Sequence, residues 1–187
     1  MNTGDKADTG SALDWSVSAM RDATGRLQRG EASEKARAFV VIGEAVWWVT
    51  IVDSTLVRYH PEIYDSVLAN QPSESRRLTE GTLAGLRFVR NRMGHEMDDV
   101  DFIQLGPSGT GATGRSLAVW RWNPVPEPAL ETLGAPARSW EVERYRAYSE
   151  HLAGRSIAET FARAVKFLNL AAERAAAVTD PADPARP

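Results

Sequence analysis

The chain has 187 residues, a length typical of one ordinary domain, and 43% of its residues are apolar, which is enough for a substantial core. A net charge of −3 excludes a global basic field that would draw the protein to nucleic acid, so any such contact needs a local patch. The absence of cysteine excludes disulfides, thiolate metal sites and a cysteine nucleophile.

Apolar periodicity and capping residues predict a mainly helical chain. His60-Pro61 ends the second helix, because a residue before proline avoids the α region. Ser156 and Glu159 form a capping-box pattern for the last helix. The predicted helices cover 11–29, 33–59, 62–69, 75–95, a short segment capped by Ser139, and 157–177. We expect one domain over 11–178, with flexible tails at 1–10 and 179–187.

The apolar segment 39–57 approaches the length of a membrane span. Glu44 and Asp53 lie within it, and a charged side chain is costly in lipid. A helix that is buried on most sides explains the same residues. Since no signal peptide is visible either, the sequence predicts a cytoplasmic protein without membrane contact.

The segment after the fourth helix has a different composition. Residues 106–115 are rich in glycine and predict a loop, and the alternating stretch 115–122 predicts one strand of a small hairpin. A phosphate-binding loop is the alternative for the glycines, but the stretch lacks Gly-Lys-Ser/Thr and a surrounding strand-loop-helix unit. The expected fold is therefore mainly α, an antiparallel helical bundle with a loop/β-hairpin insertion around 103–138.

The end of the fourth helix carries a cluster of polar residues. At 100° per residue, Arg90 falls inside the helix's apolar stripe, so its guanidinium must find a partner, reach an interface or line a cleft. Asn91 lies about 40° from His95 and can share its face. Arg90 lies about 140° from His95, so a straight helix aligns the two poorly. The long Arg90 side chain can bend towards the same cleft, which a last turn loosened at Gly94 would ease, or the two can meet across a symmetric dimer.

Arg90, Asn91 and His95 together suit phosphodiester cleavage in RNA without a metal or cofactor. A histidine near neutral pKa can take the proton of a ribose 2′-hydroxyl or protonate the leaving oxygen. An arginine can hold the phosphate at two points, and an asparagine can orient either group. The chain has no His-Glu-x-x-His and no Gly-x-Ser-x-Gly, so metalloprotease and serine hydrolase patterns find no support.

The stretch "RNRMGH", residues 90–95, resembles the R-x4-6-H motif of HEPN domains, in which a polar residue often follows the arginine, as Asn91 does here. The resemblance implies a dimeric helical bundle whose paired motifs line one cleft, and a metal-independent ribonuclease of toxin–antitoxin or other bacterial defence systems. It implies that Arg90 and His95 are catalytic and that Asn91 assists. Arg87 and Arg92 are further candidates for RNA contacts.

The same resemblance also bears on an acidic residue, a regulatory tyrosine and a partner protein. Some HEPN families carry an acid on an earlier helix, for which Glu44 and Asp53 are both candidates. Toxins of the family that pair with a nucleotidyltransferase antitoxin have a tyrosine two residues after the histidine. Met97 stands there, which argues against regulation through that tyrosine. An antitoxin or regulatory partner protein is still expected.

Three other interpretations stay open. Arg87, Arg90 and Arg92 can simply pair with acids, either those of 96–99 on a solvated helix end or others, while His95 merely ends the helix. The chain can be a non-catalytic helical protein for dimerisation or partner binding. It can also be a small-ligand regulator with a pocket at Trp120 and Trp122, which share a strand face, although such a pair more often packs in a core.

Overall fold

The computed structural model describes residues 12–29, 34–95, 101–110, 116–127 and 135–179. The described residues form six helices and one two-stranded antiparallel sheet, which confirms a mainly α fold with a small hairpin. The elements in chain order are α1 (Ala12–Gln28), α2 (Lys35–Tyr59), α3 (Pro61–Ala69), α4 (Ser73–His95), β1 (Ile103–Thr110), β2 (Ser116–Trp122), α5 (Ala135–His151) and α6 (Ile157–Thr179). Apart from Thr179, the predicted tails 1–10 and 179–187 lie outside the described residues.

Local signals placed several helix ends correctly. α2 ends at Tyr59, and α3 begins at Pro61, where proline's missing N–H costs nothing. Gly154 separates α5 from α6 with φ +74°, a conformation that suits glycine. The N–H of Glu159 donates to Ser156 Oγ at 3.4 Å, so Ser156 caps α6 as the sequence predicts.

Two predictions about the insertion were wrong. The glycine-rich stretch is not a loop from its start, because β1 runs on to Thr110. Gly106 pairs with Val119 in the ladder, and a Cβ at Gly106 would lie 2.7 Å from Arg121 Cδ, so glycine here permits a close cross-strand contact. α5 is a 17-residue helix that begins at Ala135, so Ser139 lies inside it and is not its cap. Pro136 fits the first turn of this helix.

One hydrophobic core connects all six helices and the hairpin. α4 approaches α5 closely at two glycines: a Cβ at Gly85 would lie 2.7 Å from Leu152 Cδ1, and one at Gly81 would lie 2.1 Å from His151 Cδ2. The hairpin joins the helices through Trp122, which is fully buried and donates its indole N–H to Thr160 Oγ1 at 3.0 Å. Trp122 therefore packs in the core, as the more common role of such a tryptophan predicts.

α2 is long and apolar enough to cross a membrane by length and composition, with a mean hydropathy of 1.6 over its most apolar window. Half of that window is buried inside the protein, and the core helix of a soluble protein passes the same test. Its two acids have partners within the fold: Glu44 binds Arg26, and Asp53 binds Arg87. These contacts explain both acids without a membrane.

Candidate functional site

The last two turns of α4 hold all five residues that the sequence singled out. α4 is helical through Gly94 to His95, so of the alternatives for bringing Arg90 and His95 together, a loosened last turn at Gly94 is not the one observed. On this regular helix, residues 90 and 95 point about 140° apart and are separated by about 7.5 Å along the axis. The side chain of His95 lies outside the described part of the structure. Within one chain, the helix does not direct Arg90 and His95 to one point.

Arg90 lies against α2. Its guanidinium carbon is 4.8 Å from the ring centroid of Trp47, a cation–π distance. The two residues line a groove of about 270 Å³, to which Phe39 and Met93 also contribute. Arg90 therefore lines a cleft, one of the three outcomes expected for a cation in an apolar stripe.

The charge of Arg90 is not neutralised within the described residues, where no carboxylate lies within 4 Å of it. Glu44 lines the same groove, but its carboxylate binds Arg26 at 2.5 Å. Arg90 can therefore offer its donors to an anionic ligand.

Asn91 is held by α5. Its Nδ2 donates to Glu141 Oε1 at 3.0 Å, and the same oxygen accepts from Arg144 Nη1 at 3.1 Å. This bond uses one of the two amide N–H groups of Asn91 and leaves the second N–H and the carbonyl oxygen for a ligand. Arg92 stacks over the Phe88 ring at 5.8 Å.

Arg87 belongs to a buried cluster with Asp53 and Tyr64. Its Nε and Nη2 each lie 2.6 Å from Asp53 Oδ2, and the Tyr64 hydroxyl donates to Oδ1 at 2.8 Å. Burial raises the pKa of Asp53, while the charge of Arg87 and the two hydrogen bonds lower it. Burial raises the pKa of Tyr64, and the Asp53 carboxylate raises it further. In this arrangement the charge of Arg87 is balanced by Asp53.

Sequence reasoning missed the partners of these residues. Trp47 lies in the apolar segment 39–57 that was expected to be buried on most sides, yet half of its surface is exposed and its ring stacks with Arg90. Glu141 was not linked to Asn91, which is 50 residues away along the chain. Asp53, an acid in an apolar helix, was a usable signal, because a buried carboxylate needs a cation beside it. Arg87 is the cation that binds Asp53.

In the described ranges, no group of three or more His, Asp or Glu residues is arranged to hold a metal ion. Comparison with protein-family models, with curated proteins and with solved structures finds no match to this chain.

Proposed function

We propose that the protein is a HEPN-like, metal-independent endoribonuclease that acts as a homodimer. The observation that carries the proposal is the position of Arg90: it lies in a groove, stacks on an exposed tryptophan, and has no carboxylate partner among the described residues. Asn91 follows it, and His95 ends the same helix. These three residue types suit RNA cleavage through the 2′-hydroxyl.

In the proposed reaction, the ribose 2′-oxygen attacks the adjacent phosphorus and the 5′-oxygen of the next nucleotide leaves. His95 takes the proton of the 2′-hydroxyl or gives one to the departing oxygen. Arg90 binds the phosphate oxygens, where negative charge increases during the attack. Asn91, anchored by Glu141, orients the ribose by accepting from its 2′-hydroxyl through the carbonyl oxygen, or orients the phosphate by donating its second amide N–H. The products are a 2′,3′-cyclic phosphate and a 5′-hydroxyl.

A dimer would bring together two residues that lie on different faces of α4. Because Arg90 and His95 diverge by about 140° on one helix, we propose that each site combines Arg90 of one copy with His95 of the other. The α2 face beside Arg90 has exposed apolar residues suited to such a contact: Val40 is 66% exposed and Trp47 50%. As a toxin or defence protein in the cytoplasm, the dimer would also meet an antitoxin or regulatory partner.

The same exposed face supports a second function, a non-catalytic helical protein that dimerises or binds a partner. Val40 and Trp47 serve that role without any chemistry at His95. The two functions differ in what the polar residues do. The interaction protein needs Trp47 for association, whereas the ribonuclease also needs Arg90 and His95 for turnover.

The test is RNA cleavage in EDTA by the purified protein and by the variants His95→Ala and Arg90→Ala. The control Arg146→Gln removes an exposed cation on α5, away from the groove. We expect the wild type and the control to leave cyclic phosphate ends. His95→Ala should lose about 100-fold or more of the rate, as should Arg90→Ala.

Circular dichroism and light scattering on the same samples show whether the variants keep their fold and dimeric state. Cleavage that is equal in the wild type and both variants, or absent from all of them, refutes the ribonuclease. A variant Trp47→Lys that becomes monomeric while the wild type is a dimer would support the association face in either function.

A further inference from the structure

A second groove lies at the opposite end of α4 from Arg90. It runs between the first turns of α4 and the middle of α6, with a volume of about 570 Å³. Thr79 on its wall is eleven residues before Arg90, or roughly 16 Å along the helix axis. Small-molecule sites occupy roughly 300–1,000 Å³. The groove is therefore large enough for a ligand and separate from the proposed nuclease site.

The charge of the groove favours an anion. Its lining includes Arg163 and Lys166 of α6 and, within the described ranges of the chain, contains no carboxylate. Among the residues that the structure describes, neither cation lies within 4 Å of a carboxylate. Arg163 Nη1 makes a long hydrogen bond of 3.4 Å to the Thr82 hydroxyl, which does not neutralise its charge. The two positive charges are thus available to a ligand.

Further hydrogen-bond donors surround these cations. Ser75 contributes a hydroxyl from the first turn of α4, a position where anions are also favoured by the free N–H groups of the helix. The Thr79 hydroxyl donates to Gln71 Oε1 at 3.1 Å, so Gln71 offers its NH2 group to a ligand. Two cations and several donors fit a phosphomonoester, which has three terminal oxygens and a charge of about −1.5 to −2, better than a carboxylate.

An apolar wall completes the groove. Leu78 of α4 and Phe167 and Leu170 of α6 line it, and Leu170 is 42% exposed. Phe167 is fixed in place by an edge-to-face contact with Tyr64, at 5.0 Å between ring centroids. Inorganic phosphate would leave this wall uncovered. An organic group attached to the phosphate would bury it.

We propose that this groove binds a phosphomonoester of the mononucleotide class. Arg163 and Lys166 hold the phosphate, and the nucleoside covers the accessible parts of the wall at Leu78 and Leu170, behind which Phe167 lies buried. The site needs neither His95 nor a dimer, so it stands whether or not the protein cleaves RNA.

The test is isothermal titration of the full chain with AMP, UMP, adenosine and inorganic phosphate at one fixed ionic strength. We expect at least one of the two nucleotides to bind with a Kd below about 1 mM, and roughly tenfold more tightly than adenosine or phosphate. No binding of either nucleotide up to about 10 mM overturns the proposal. The proposal is also overturned if adenosine or phosphate binds as tightly as the nucleotides. Either the two cations or the apolar wall would then contribute nothing to the affinity.

Matched variants locate the site. Lys166→Gln removes an exposed cation of the groove and should weaken nucleotide binding by at least about fivefold. Leu170→Glu places a negative charge on the half-exposed wall and should weaken binding at least as much. Arg174→Gln makes the same charge change as Lys166→Gln on α6, outside the groove, and should stay within about twofold of wild type. Equal affinities in all three variants would place the ligand elsewhere and refute the assignment.

Discussion

Replacing Arg87 by methionine should destabilise the protein strongly, because it leaves a buried carboxylate without its cation. Asp53 is fully buried, and both of its short contacts to Arg87 are 2.6 Å long. Removing one partner of such a pair costs about 3–5 kcal/mol. Methionine keeps the apolar stem, and the Tyr64 hydrogen bond remains, so we expect about 3 kcal/mol. In a chain of this length, that lowers the Tm by about 6–12 °C.

The assay is urea unfolding at pH 7, followed by circular dichroism at one protein concentration because association also stabilises. Lys35→Met is the matched control: it breaks an ion pair with Asp101 in which both side chains are more than half exposed, and should cost less than about 1 kcal/mol. Asp53→Asn combined with Arg87→Met removes both charges of this pair and should recover about 1–3 kcal/mol relative to the sum of the single changes. If Arg87→Met costs no more than Lys35→Met, the carboxylate does not depend on Arg87 and the reasoning is wrong.

The stability loss of Arg87→Met should also depend on pH. Burial raises the pKa of Asp53 above its ordinary value of 3.8, and removing Arg87 raises that pKa further because a lowering influence is lost. A group whose folded pKa is raised contributes stability below its unfolded pKa and loses it as the pH rises through the folded pKa. The difference in unfolding free energy between variant and wild type should therefore shrink from pH 7 to pH 5. A difference that grows on acidification contradicts this sign.

Two further predictions concern the contact between α4 and α5. Burial lowers the pKa of His151 from 6.5, with the nearby arginines 77, 155 and 163 lowering it and Glu150 raising it. Its contribution to stability is therefore complete above pH 6.5 and is lost as the pH falls through the lower folded pKa, so His151→Gln should flatten the decline of Tm between pH 7 and pH 5. If the decline of Tm with falling pH is as steep in His151→Gln as in the wild type, the protonation of His151 does not cause it. Gly81→Ala should destabilise by about 1–2 kcal/mol, since its Cβ would meet the buried His151 ring at 2.1 Å. The control is Gly25→Ala, whose Cβ meets only the end of the Arg29 side chain at 3.1 Å, and which should instead stabilise the protein by about 0.5–1 kcal/mol. Both changes are measured by urea unfolding. Equal effects of the two would rule out a clash between the Gly81→Ala methyl group and His151.

The sequence predicted helices well where a local signal marks their ends. His60-Pro61 and Gly154 act through their own backbone preferences, which do not depend on the rest of the fold. It failed where tertiary contacts decide. Gly106 belongs to a strand because Val119 of β2 pairs with it, and α5 starts before Ser139, with Pro136 accepted in its first turn.

The candidate site could be predicted in part. Periodicity placed Arg90 inside an apolar stripe and therefore at a cleft, an interface or a partner. The periodicity of one helix does not say which side chains a neighbouring helix places against it. The stacking of Trp47 on Arg90 and the hydrogen bond from Asn91 to Glu141 are therefore seen only in the packed structure. The same limit hid the groove of Arg163 and Lys166, whose other wall comes from α4.

Mixing two inactive variants tests the central claim most directly, which is that Arg90 of one copy and His95 of the other form one metal-independent site. Arg90→Ala and His95→Ala are combined in equal amounts, exchanged into mixed dimers, and assayed on RNA in EDTA. The account predicts recovery of about a quarter of wild-type activity, since half of the dimers are mixed and each has one intact site. Arg90→Ala mixed with the double variant should recover none. If the two single variants form mixed dimers and no activity returns, the shared site is contradicted.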